Sequence, residues 1–139
     1  MSADAGGRAF PKAERLCSRR VFDLIFTHRR SCRSGSLRCI YAFDVPTDWV
    51  KAPVSMAVTV PKHLFKRAVR RNLLKRRIRE AYRLHKAPLI EYMQHLGRTL
   101  ALVIKYENKT PDTFALIEGD MLRIFRKLMY EARQLPPAA

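Results

Sequence analysis

The side chains with the widest chemical repertoire are scattered along this chain. His28, His63, His85 and His95 show neither HxxxH nor HExxH spacing, so a helix-borne zinc site has no support. His85 reads as the end of a helix seam. Asp23, Asp44, Asp48 and Asp112 form no paired-carboxylate motif for metals, and no Gly-rich phosphate loop is present. Cys17, Cys32 and Cys39 are odd in number and include no CxxC pair. That pattern argues against disulfides and zinc and suits a reducing cytoplasm. What is dense is cation. Residues 62–86 hold eleven of the 28 Lys and Arg and one acid, Glu80. Arginine outnumbers lysine there. Its planar fork pairs bidentately with phosphate and stacks on bases, so the chemistry indicated is capture of a polyanion.

The totals bound the partner. A chain of 139 residues suits one domain, 47% hydrophobic composition is enough for a core, and the net charge is +16. Such a field repels itself, and an anionic partner offsets it. Nucleic acid is the first candidate and an anionic membrane the second. No apolar run approaches the roughly 18 residues of a membrane span. Residues 1–8 lack the apolar core of a signal peptide.

Several elements must position the cations. Residues 1–9 read as a disordered tail, 10–134 as a single nucleic-acid-binding domain and 135–139 as a C-terminal tail. Residues 16–28 predict a first helix with Val21, Phe22, Ile25 and Phe26 as its stripe and Ser18 as N-cap. Residues 29–36 read as a basic turn region. Residues 37–43 predict a strand, with Leu37, Cys39 and Tyr41 on one face and Arg38 and Ile40 on the other. Residues 44–53 read as a loop. Residues 54–60 predict a strand whose Ser55, Ala57 and Thr59 face is free to receive a ligand. The basic helix is expected over 66–85 and to stop at Pro88. A short helix then ends at Gly97. Residues 99–106 predict a strand buried on both faces, and 112–134 a last helix.

Within the basic helix, Leu74, Ile78, Ala81, Tyr82 and His85 share one side at 100° per residue. Asn72, Arg76, Arg79 and Arg83 share another, flanked by Lys75, with Arg70 and Arg77 on the far shoulder. Mixed charge would be expected of a merely solvated face, and a membrane helix would carry a wider apolar face with Trp or Phe.

The segment Lys66-Arg-Ala-Val-Arg-Arg-Asn-Leu-Leu-Lys-Arg-Arg-Ile-Arg-Glu-Ala-Tyr82 resembles the signature helix of the protein subunit of bacterial ribonuclease P. The family pattern is Ala-Val, one residue, Arg-Asn-Arg, one residue, Lys-Arg, two residues, Arg-Glu or Arg-Gln. It is matched by Ala68-Val69, Arg71-Asn72, Lys75-Arg76 and Arg79-Glu80, with Leu73 where the family has its second Arg. Val58-Thr-Val-Pro-Lys62 resembles the third strand and its basic exit. Phe22-Asp-Leu-Ile-Phe26 resembles the first-helix Phe pair, and Ile40-Tyr41 a strand with a cleft tyrosine.

The resemblance implies an α+β two-layer sandwich of order α-β-β-β-α-β-α. Its four-stranded sheet carries a left-handed βαβ crossover, as in domain 2 of ribosomal protein S5, an exception to the usual hand. It implies catalysis by RNA, whose Mg²⁺ ions hydrolyse precursor tRNA to release the 5′ leader. No obligate protein partner and no membrane are expected. Arg67, Arg70, Arg71, Asn72, Lys75, Arg76, Arg79 and Arg83 would bind the ribozyme RNA. Phe22, Phe26, Tyr41, Thr59 and Lys62 would bind the leader. From the residues alone, a ribosomal-type basic protein and a protein-only nuclease remain alternatives, and Phe22 and Phe26 suit a core.

Overall fold

The computed structural model describes residues 10–137, so the tail expected over 1–9 and the last two residues lie outside the description. A 3-10 turn at Lys12–Glu14 leads into α1 (Arg19–His28), β1 (Arg30–Ser34), β2 (Leu37–Phe43), β3 (Val54–Thr59), α2 (Ala68–Leu96), β4 (Leu100–Tyr106) and α3 (Phe114–Gln134). The sheet order is β1-β2-β4-β3. β1 and β2 are antiparallel, as are β2 and β4, whereas β3 runs parallel to β4. The β3–α2–β4 unit therefore joins neighbouring parallel strands.

Alternation along the strands sorts two cores. Leu37, Cys39, Tyr41 and Phe43 of β2 and Leu100, Leu102 and Ile104 of β4 meet α2 and α3 on one face. Ala42 of β2 and Ala101 and Val103 of β4 meet Val21 and Ile25 of α1 on the other. β4 is apolar on both faces because it is interior to the sheet and both faces are covered.

Three local expectations are corrected. Residues 30–34 form a strand rather than a turn region. Arg-Ser-Cys-Arg-Ser has no apolar alternation because β1 is an edge strand with one buried residue, Ser34. Its turn is held by Asp120 of α3, which accepts from Ser34 Oγ at 3.3 Å and from the Ser36 amide at 3.4 Å. Gly35 is required there: its φ is +55°, and a Cβ would lie 2.4 Å from an Asp120 oxygen.

Second, α2 does not stop at Pro88 but continues to Leu96, where Gly97 caps it in the left-handed region. An interior proline costs about 3 kcal/mol. Tertiary anchoring on both sides overrides that, since Tyr82, Lys86, Leu89 and Met93 are fully buried while Pro88 itself is exposed. Third, the first helix starts at Arg19 rather than at residue 16, and the segment before it is a structured strap. The Leu16 amide donates to the Met56 carbonyl at 3.0 Å, and Arg15 bridges Met56, so the strap lies along the free edge of β3. Glu14 accepts from the buried Lys86 Nζ at 2.5 Å, and Phe10 packs edge-on against Tyr82 with ring centroids 5.2 Å apart. Ser18 occupies the N-cap position of α1 but makes no side-chain capping bond.

Candidate nucleic-acid interface

The seam Leu74, Ile78, Ala81 and Tyr82 is buried as its spacing predicts. That orientation turns the remaining circumference of the N-terminal half of α2 outward. Arg67, Arg70, Asn72, Arg76 and Arg79 are exposed, and Arg71, Lys75 and Arg83 are half-buried.

The cations on α2 are not equivalent. The Arg71 guanidinium donates to the Phe65 and Lys66 carbonyls, both at 2.8 Å, and so clamps the loop entering the helix. Arg77 donates to the Asp112 carbonyl at 2.5 Å, tying α2 to the approach to α3. Arg83 forks onto Glu80 at 2.8 and 2.9 Å, and this partner holds the Glu80 carboxyl below its usual range. Arg67, Arg70, Lys75, Arg76 and Arg79 have no hydrogen-bonded or ionic partner among the described residues. An unpaired guanidinium keeps its donors available for phosphate. Asn72, Arg76, Arg79 and Arg83, with Glu80, line a shallow cleft whose far wall is Phe10. Phe10 escaped the sequence reading because it lies in no periodic segment.

Leu73 is 37% exposed and does not enter the core. The missing cation is thus a gap on the surface of α2. Of the neighbours able to fill it, Arg77 is engaged and Arg70 is free.

A second concavity lies on the opposite face of the sheet. The chain reaches α1 from the β3 edge and leaves it into β1, so α1 crosses the strands. Val21 and Ile25 point down into the sheet. On one flank Arg20 lies 5.3 Å over the Trp49 ring, in the β2–β3 loop. At 100° per residue, Phe22 and Phe26 occupy the other flank. Phe22 packs partly on the core and Phe26 is 50% exposed, so the core role that their spacing also allowed falls to Val21 and Ile25. They wall a strip of sheet floored by Ile40, Ala57 and Val103, with Thr59 exposed at its end and Lys62 exposed just beyond β3.

Tyr41 is not brought to this strip. It is 3% exposed on the opposite face, where burial and the carboxylate of Glu131, which its hydroxyl contacts, push the phenol well above its usual range. Period-two alternation is the cause: Ile40, its neighbour, takes the α1 face. Two groove cations were missed. Arg38, Lys105 and Thr59 share one row across β2, β4 and β3. Arg38 and Lys105 reach Glu107 at 3.0 and 3.9 Å, with Arg33 at 3.2 Å, leaving the cluster net positive. Their signal was one charged residue near the start of β2 and one near the end of β4, ends that antiparallel pairing brings together. Arg29 caps α1 in the left-handed region, and Arg30 pairs with Glu131.

Among the described residues, no three His, Cys, Asp or Glu side chains gather as a metal site. His85 bonds Glu118 at 2.7 Å, and Asp44 pairs with Arg98 at 2.5 Å. No helix among the described residues is long and apolar enough to cross a membrane.

Known proteins are similar to this chain in sequence and in arrangement. The Ribonuclease P family model matches residues 10–129. The ribonuclease P protein component of Porphyromonas gingivalis is 35% identical over 112 residues, covering 79% of each chain. That of Ralstonia pickettii is 31% identical over 134 residues, covering 96% of this chain and 91% of its own. The RNase P protein of Staphylococcus aureus shares the fold with a TM-score of 0.66 at 19% identity, over 84% of this chain and 96% of its own. The α-β-β-β-α-β-α order, the basic helix and these relatives agree, and the chain belongs to the ribonuclease P protein component family.

Proposed function

We propose that this chain joins the RNA subunit through the solvent side of α2 and receives the 5′ leader of precursor tRNA in the α1 groove. The observation that carries the reading is the set Arg67, Arg70, Lys75, Arg76 and Arg79, which holds no internal partner among the described residues. Each neutralised phosphate releases condensed counterions, contributing about −0.9 to the log–log salt slope on duplex. Asn72 sits among these cations and offers an amide to a base edge or 2′-hydroxyl. Arg71 acts by holding the loop that presents Lys66 and Arg67.

In the groove, the rings of Phe22 and Phe26 stack on bases, at about 1–3 kcal/mol per base and with little sequence preference. Thr59, Lys62, Arg38 and Lys105 face the backbone. Mg²⁺ ions held by the RNA would supply the activation of water and the stabilisation of the leaving oxygen. This chain supplies binding and orientation. Its three free thiols suit the reducing cytoplasm in which tRNA matures.

Reconstitution tests the reading. The purified chain added to its cognate RNA subunit is expected to lower the Mg²⁺ needed to cleave precursor tRNA, and to cleave nothing alone. An unchanged Mg²⁺ requirement sinks it.

A further inference from the structure

A third concavity opens at the N-terminus of α1, outside the groove. It has a volume of about 350 Å³ and lies between the strap and the β2–β3 loop. Ser55 forms its floor at 2% exposure, and the Ser55 hydroxyl has no hydrogen-bond partner among the described residues. Ser18, at the uncapped start of the ten-residue α1, lines the same space, so the first-turn amides lack a side-chain acceptor. Lys12 and Lys51 stand on opposite walls without ionic partners among the described residues, and no lining residue is acidic. Trp49 and Val50 supply an apolar side. An unpaired hydroxyl on a nearly buried residue, open to the cavity, joins helix amides without a side-chain cap and two lysines to make an anion seat beside a surface for a base.

The position of Ser55 indicates which anion. Ser55, Ala57 and Thr59 alternate onto one face of β3, and the groove already uses Ala57 and Thr59. Two residues along a strand is about 7 Å. We infer that the seat takes a backbone phosphate of the same single-stranded RNA, with its base against Trp49, so that the strand follows β3 past the start of α1. This rests on the groove reading above and extends it to a site with its own residues.

Trp49 is the only tryptophan in the chain, so its emission reports on this wall alone. Titration of the full chain with short single-stranded RNA should give a saturable change in that emission. The Lys12→Ala, Lys51→Ala double variant should weaken binding about tenfold and flatten the salt slope by about 0.7 per lysine removed. Ser55→Ala should weaken it several-fold, with circular dichroism unchanged. Silent Trp49 emission, with Phe26→Ala still weakening RNA, overturns the seat and leaves the groove. A Trp49 change that depends on Lys51 but not on Phe26 keeps the seat and removes the groove. Inorganic phosphate that shifts Trp49 without competition from RNA overturns assignment of the seat to a strand.

Discussion

The solvent side of α2 and the strip beside α1 both face outward, yet they are built on opposite physics. On α2 the buried seam aims cations outward, and five cations of the helix and its N-cap have no partner among the described residues. Beside α1 the exposed surface is largely apolar: Phe26 is half-exposed, Phe22 packs partly on the cluster of Ala57 and Val103, and the nearby cations Arg33, Arg38 and Lys105 share Glu107. The first surface suits a partner whose phosphates have fixed spacing, and its affinity should be strongly salt-dependent. The second suits unstacked bases of varied sequence, and its affinity should depend on salt less steeply, through Lys62 and the net-positive cluster at Glu107.

The largest expected effect tests the electrostatic half. Arg76→Ala with Arg79→Ala removes two exposed guanidiniums that have no partner among the described residues, so the fold should survive. Charged hydrogen bonds are worth about 1.5–3 kcal/mol each, so affinity for the RNA subunit should fall at least a hundredfold. The salt slope should flatten by about 1.8. Filter binding across a salt series measures both, and an unchanged slope removes these residues from the phosphate contact.

Phe26→Ala addresses the other half. It should cost about 1–3 kcal/mol in binding precursor tRNA by the assembled ribonucleoprotein, leave mature tRNA affinity alone and leave the salt slope unaltered. Equal losses for precursor and mature tRNA would mean that the ring supports the fold rather than a base.

Leu73→Arg gives a smaller effect of opposite sign. Leu73 is 37% exposed, so the exchange removes little burial. It should steepen the RNA-subunit salt slope by about 0.9 and leave the melting temperature within a degree or two. A gain in slope without a gain in affinity would indicate that repulsion from Arg70, Arg76 and Arg77 cancels the new contact.

The two regions also differed in how much the residues disclosed. The orientation of α2 was legible because an apolar seam at helical spacing can face only inward, which leaves the arginines outside. Which arginines are already engaged was not legible. Arg71 is spent on the Phe65 and Lys66 carbonyls and Arg77 on that of Asp112, and the latter bond joins residues 35 apart. Pro88 misled because a local rule about backbone hydrogen bonds competes with burial of Leu89 and Met93, which only the assembled fold reveals. The strap was invisible for the same reason: Glu14 and Lys86 are 72 positions apart. In the groove, alternation in β2 already placed Tyr41 with Leu37 and Cys39, away from Ile40. The resemblance pointed the other way, and the period-two geometry prevailed.

Tyr41→Phe turns that conflict into the finest test of the comparison. The substitution keeps the ring that packs 5.6 Å from Phe43 and deletes only the hydroxyl that meets Glu131. If Tyr41 belongs to the α3 face alone, the loss should be confined to stability, at about 0.5–1.5 kcal/mol for one hydrogen bond. Arg30 remains paired with Glu131, which keeps that carboxylate from being stranded and holds the loss toward the lower end. Leader affinity, read as the ratio of precursor to mature tRNA binding, should not change. A drop in that ratio comparable to that of Phe26→Ala would place the Tyr41 hydroxyl within reach of RNA. It would require β2 to present its other face, which is incompatible with the Cys39↔Ile104 and Tyr41↔Leu102 register that packs these side chains against α3.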